Sequence, residues 1–145
     1  MSRLLRRLLE PTRLNPVAAG LLALAAIGVL VAGFQHERLF HRGYAEVEVV
    51  GLLFFLNGIG SLVVVLTLIL GRAWMFVLGA LSICVPSLVS IAISHSSTGF
   101  LGFHEGGYDA DALVIVVAEI AAAVFTLIGA VAAVTVARRS PGPAT

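Results

Sequence analysis

Residues 99 to 111 read GFLGFHEGGYDAD, which places His104 and the carboxylates Glu105, Asp109 and Asp111 in one short stretch. A second polar stretch, QHERLFHRGYAEVE from Gln35, adds His36, Glu37, His41, Glu46 and Glu48, and His95 lies just before the first stretch. Imidazole and carboxylate groups hold zinc, copper, nickel, iron or manganese. His36, His41, His95 and His104 are therefore candidate metal ligands. Their spacing matches no defined ligand motif: His36 and His41 are five apart, and His104 adjoins Glu105, unlike the one-face H-E-x-x-H pattern. The competing reading is a solvated acidic rim.

Glu119 raises a sharper question, because it stands inside an apolar run. It follows Asp111 by eight residues, about 12 Å along a helix. An ionisable group at such depth is costly in a membrane and marks a functional site by default. Helical steps from Glu119 reach Ala122, Ala123, Thr126, Ala130 and Ala133, a small-residue face of the kind that packs on another helix. Glu119 is thus expected to face the interior. Asn57, followed by Gly60 and Ser61, is the matching polar residue of another run. It is either interhelical glue or a ligand contact opposite Glu119. Glu119, His104, Glu105, Asp111 and Asn57 together form the candidate ligand or ion set.

The elements that position these residues follow from composition. The 145 residues are 59% hydrophobic and 12% charged, against about 25% charged in soluble domains. Four apolar segments, about 17–34, 47–70, 73–94 and 112–137, each approach the roughly 20 residues needed to cross a bilayer as helix. The expected fold is an all-α, four-helix transmembrane bundle over 14–139. A basic amphipathic segment over 1–13 should lie on an anionic membrane surface, and 140–145 should be a disordered tail. The first run is long for the apolar core of a cleaved leader and VAGFQHER is a poor cleavage site, so a retained helix is expected. Pro86 should bend the third helix. Asp109 or Asp111 suits the N-cap of the fourth.

Every basic residue is arginine. Arg3, Arg6, Arg7, Arg13, Arg72, Arg138 and Arg139 fall on one side of an even-numbered bundle, and Arg38 and Arg42 on the other. The positive-inside rule then places both termini in the cytoplasm of a bacterial plasma membrane, with short outer loops over 35–46 and 95–111. The one cysteine, Cys84, excludes an intramolecular disulfide and reads as a small buried hydrophobe.

The chain resembles a set of uncharacterised small four-helix membrane proteins of actinobacteria. The resemblance is carried by Gly99-Phe100-Leu101-Gly102-Phe103-His104-Glu105, then Tyr108, then Glu119 in the following helix. That pattern often has proline in place of Leu101 and tryptophan in place of Tyr108. It implies fold and lineage, carries no activity, and makes His104, Glu105 and Glu119 one set.

Three functions compete. The leading one is a structural or accessory subunit of a membrane complex, partnered by lipid and by another membrane protein or a second copy, with no nucleic acid. Its support is the lack of a nucleotide loop, nucleophile elbow or metalloprotease motif. The alternative is an ion-, proton- or metal-binding or transport module whose outward mouth lies over Glu119. The third is an intramembrane hydrolase drawn from Ser94, His95, Ser96, Ser97 and Glu105, for which no spacing supports a triad. No cofactor is indicated. Haem is disfavoured, since all four histidines fall in or beside the expected loops.

Overall fold

The computed structural model describes residues 10–139, with side chains as far as Thr135. Most of the amphipathic segment expected over 1–13, and the tail expected over 140–145, lie outside the described residues. Four helices make up the rest: α1 (Pro16–His41), α2 (Glu48–Ile69), α3 (Ala73–Ser94) and α4 (Ala110–Arg139), with a short 3-10 turn at Tyr44–Glu46 between α1 and α2. All four are long and apolar enough to cross a membrane. Among the described residues the only β-type pairing is an isolated bridge between Phe100 and Phe103.

Local chemistry sets the helix ends. Asn15 caps α1: its Oδ1 accepts the Ala18 N–H at 2.9 Å, and Pro16 supplies the first helical residue. Its Nδ2 donates to the Ala132 carbonyl at 3.0 Å, tying the start of α1 to α4. Gly71, at φ 73°, ends α2: its N–H donates to Leu68 O and the Arg72 N–H to Thr67 O, a Schellman pattern that turns the chain into α3. Asp109 caps α4, its Oδ1 accepting the Ala112 N–H at 2.7 Å.

The helices form a ring in which α1 packs on α2 and α4, and α3 completes it between them; among the described residues the backbones of α2 and α4 stay apart, and Asn57 and Glu119 are side-chain neighbours across the gap. Small residues allow the closest approach. A methyl group on Gly28 of α1 would come within 2.8 Å of the Ala118 carbonyl on α4, and one on Gly33 within 2.5 Å of the Ser61 side chain on α2. The dry core lies toward the α2–α3 turn and is built from Leu22, Ala25 and Val29 of α1, Phe76 and Ala80 of α3, and Ala122 of α4. Large apolar side chains such as Ile27, Leu62, Leu78 and Val131 point outward. That inversion fits a multi-pass membrane protein, whose outer surface needs no polar cover.

One expectation needs correction. The first outer loop was placed at 35–46, but α1 runs through His41. Gln35, His36, Glu37 and His41 are helical, and Gln35 and His36 are buried. Hydropathy falls at Gln35, yet the helix continues because its polar side chains find partners. His36 bonds the Ala32 carbonyl, and Arg38 bonds Gln35 and Asp111.

Candidate functional site

The end of the bundle away from the dry core holds a cavity of about 260 Å³. It lies where the backbones of α2 and α4 stay apart while α1 and α3 flank the gap. Val50, Leu53, Phe54 and Leu56 of α2, Ile83, Pro86 and Ile91 of α3, and Ile115 of α4 give it apolar walls. Its deep end is polar, formed by Asn57 of α2 and Ser82 and Ser87 of α3. Its mouth carries Tyr44, Phe100, Phe103, Glu105 and Asp109.

Glu119 lies behind the deep end. It is fully buried, with Ser87 and Asn57 as its polar neighbours, and both of these line the cavity. Neither closes a hydrogen bond on it: both carboxyl oxygens lack a partner among the described residues. Burying a polar group without a hydrogen bond costs about 1–3 kcal/mol, and more when it is charged. Such an atom pair is a reservoir of unused binding capacity.

His36 stands on the cavity wall and is 3% exposed. Its Nδ1 lies 2.9 Å from the Ala32 carbonyl, which can only accept, so Nδ1 carries the proton. Nε2 is then the acceptor for the Ser87 hydroxyl at 3.3 Å. The ring meets Phe54 edge-on at 4.8 Å. His95 shows the same logic. Its Nδ1 donates to the Ile91 carbonyl at 2.8 Å, its ring stacks on Tyr108 at 3.8 Å, and its buried Nε2 has no partner.

The glycine-rich loop closes over this end. Phe100 and Phe103 exchange backbone hydrogen bonds at 2.8 and 2.9 Å around Leu101 (φ 51°) and Gly102 (φ 81°). This is a two-residue hairpin whose central residues both need left-handed backbone. The Glu105 N–H donates to the Ser94 carbonyl at 3.0 Å, seating the loop on the end of α3. The Tyr44 hydroxyl donates to Glu105 Oε2 at 2.7 Å, while the Tyr44 ring stacks on Phe54 at 4.6 Å. Burial, and then the bond to Glu105, push the Tyr44 phenol well above its ordinary range.

The candidate residues are thus divided. Asn57 and Glu119 come together, with Ser87 beside Glu119, and Glu105 sits at the mouth above them. His104, although adjacent to Glu105, turns away to bond the Ser97 carbonyl at 3.3 Å and is exposed. Asp111 is taken up by two ion pairs, with Arg38 at 3.1 Å and Arg42 at 3.2 Å. His41 pairs with Glu37 at 3.0 Å on the exposed side of α1. His36, His41, His95 and His104 do not converge, and among the described residues no three histidine, cysteine, aspartate or glutamate side chains are placed to hold a metal ion. Ser94 and Ser96 donate to the Ile91 and Ile93 carbonyls of α3.

Sequence reasoning did not single out Ser87 or Tyr44. Ser87 follows the in-helix Pro86, and Tyr44 sits amid the acidic turn. Proline leaves the Ser82 carbonyl without its helical donor, so the residues around it were the signal for a polar pocket. No protein-family model, curated protein or solved structure matches the chain.

Proposed function

We propose that the protein is a multi-pass protein of a bacterial plasma membrane that binds a proton, ion or small ligand in the cavity over Glu119. One observation carries the reading: the unpartnered oxygens of Glu119 lie beside Asn57 and Ser87, which line the deep end of a cavity with largely apolar walls. Apolar walls with a few convergent polar groups are the usual make-up of a small-molecule site. A transition metal is the weakest of the cargoes, because the histidines are dispersed. In this reading the mouth at Glu105 faces outward and both termini face the cytoplasm. The arginine asymmetry supports that orientation, with seven on the side of the α2–α3 turn and two on the side of the mouth. Kinship with the small actinobacterial four-helix proteins belongs to the same proposal.

A second reading, an accessory subunit, has one surface in its favour. A shallow apolar groove between α1 and α4, lined by Val31, Leu113, Val117 and Ala121, is shaped for a partner helix or a second copy.

The test is the native mass of the protein extracted from its own membranes in mild detergent. A retained ion or small molecule, lost in Glu119→Gln, supports the binding reading. A retained second polypeptide supports the accessory reading. A bare monomer that also fails to take up any added ligand overturns the first. A Thr98→Cys variant labelled by an impermeant maleimide on intact cells checks the orientation.

A further inference from the structure

We propose that the cavity takes a small hydrophobic organic cation, an arylalkyl ammonium, whose apolar body enters from the lipid between α2 and α3 and whose charge settles against the polar deep end beside Glu119. The proposal rests on the binding reading above and adds the chemical class of the ligand.

Unused acceptors gather at the cavity, beside the Asn57 amide. His95 has its proton on Nδ1, held by the Ile91 carbonyl, so its unpartnered Nε2 presents a lone pair. Pro86 has no N–H to give the Ser82 carbonyl, and both residues line the cavity. The Glu119 oxygens behind Ser87 and Asn57 are acceptors as well. An ammonium group suits these acceptors, because it donates and cannot accept.

Charge points the same way. Glu105 and Asp109 line the mouth, and among the described residues no arginine lines the cavity. The two arginines at this end, Arg38 and Arg42, are held by Asp111. Tyr44, Phe54, Phe100 and Phe103 set four aromatic rings around the upper cavity. Ring faces attract organic cations.

The route of entry identifies the ligand body. Leu53 and Leu56 line the cavity while remaining 41% and 52% exposed, and Pro86 beside them is exposed too. The cavity is therefore open sideways between α2 and α3, in the belt that the membrane reading places in lipid. A ligand arriving that way must partition into lipid. The volume of about 260 Å³ falls below the roughly 300–1,000 Å³ of drug-sized sites. One ring and a short chain fit that limit.

The experiment uses the full chain in mild detergent and three probes of one shape: 2-phenylethylammonium, the neutral 2-phenylethanol and the anionic 3-phenylpropanoate. Binding is read by calorimetry. The expected result is at least tenfold tighter binding of the ammonium than of the alcohol, and none of the anion. Glu119→Gln should remove that preference while leaving alcohol binding within twofold. The comparison of probes is made on the unmodified protein and stands even if this variant does not fold. Equal binding of ammonium and alcohol, or preference for the anion, overturns the cation proposal and leaves the cavity reading intact. Absence of binding by all three overturns both. Binding that survives Ser90→Phe, which fills the cavity, also overturns both, since the site would then lie elsewhere.

Discussion

The hydroxyl of Tyr44 reaches Glu105 across 2.7 Å and ties the turn after α1 to the loop that precedes α4. The two residues are 61 apart in sequence. Their bond closes the rim of the cavity on one side, and the Tyr44 ring stacked on Phe54 extends the closure to α2.

This bond predicts an alkaline limit to stability. Burial comes first, followed by the bond to Glu105 and the charges of Glu105 and Asp109, in raising the Tyr44 phenol above its ordinary value of 10.0. The neutral phenol is thus favoured in the folded state. Its contribution is complete below pH 10 and is lost as pH rises from there toward the folded-state value. Melting temperature should fall above pH 10 in the native protein. Tyr44→Phe should be less stable at pH 7 by about 1 kcal/mol and should fall less steeply above pH 10. An identical alkaline slope in both proteins would remove Tyr44 as its source.

Asp111 links α1 to α4 by accepting from both Arg38 and Arg42. The Asp111 side chain is 23% exposed, while the arginines are 36% and 54% exposed. Exposed pairs contribute little, about 0.2–1 kcal/mol each. Asp111→Asn should therefore cost about 1 kcal/mol, and the difference from the native protein should shrink in high salt. Thermal melts at low and high ionic strength check both statements. A loss unaffected by salt would mean that packing, not charge, holds this corner.

Much of this architecture is visible in the order of residues, and the reasons for what is not are physical. The third apolar run, 73–94, coincides with α3 because Gly71 and Arg72 stop the chain before it and His95 ends it. The first run stopped short by seven residues, since hydropathy reports contact with lipid whereas a helix persists until its backbone is capped. His36 illustrates the difference: it is polar, buried and helical because Ala32 and Ser87 satisfy its ring. The cavity is not periodic information. It arises from the separation of α2 and α4, which the sequence of either helix does not encode. His104 and Glu105 show the same limit at the smallest scale. They are neighbours in the chain, yet the loop sends one outward to Ser97 and the other to Tyr44.

Leu101 holds the first central position of the hairpin at φ 51° without being glycine. A residue with a β-carbon loses about 1–2 kcal/mol in left-handed backbone, whereas glycine and asparagine tolerate it. Leu101 is 65% exposed, so its side chain returns little by burial. Leu101→Asn and Leu101→Gly should each raise stability, by about 0.5–1 kcal/mol. Leu101→Pro should lower it, because proline is fixed near −65°. Ranking the three variants by melting temperature tests the turn geometry without touching the cavity. A proline variant as stable as the native protein would mean that the loop adopts another turn.

Gly28 is the contact on which α1 and α4 close. A β-carbon there would meet the Ala118 carbonyl at 2.8 Å and the Ala122 methyl at 3.0 Å. Both are on a neighbouring helix, and the first is backbone, which cannot step aside by a rotamer change. Gly28→Val should destabilise by about 1–3 kcal/mol, the usual range for overpacking. Gly20 of the same helix has open space around it, and Gly20→Ala should be neutral or slightly stabilising. Equal effects of the two substitutions would show that helix propensity, and not close packing, governs this face.

Glu119 is a stability liability where it stands, fully buried with both oxygens unpartnered. If it served packing alone, a hydrocarbon of similar length would serve better. Glu119→Met keeps volume and removes the unsatisfied carboxyl, whose burial costs about 1–3 kcal/mol. The variant should therefore melt higher than the native protein, and bind 2-phenylethylammonium no more tightly than 2-phenylethanol. In the proposed binding role, function and stability are opposed at this one residue. A variant that melts lower would mean that Ser87 and Asn57 draw real support from the carboxyl. A variant that melts higher yet keeps its preference for the ammonium would move the charge recognition from Glu119 to Glu105 and Asp109 at the mouth.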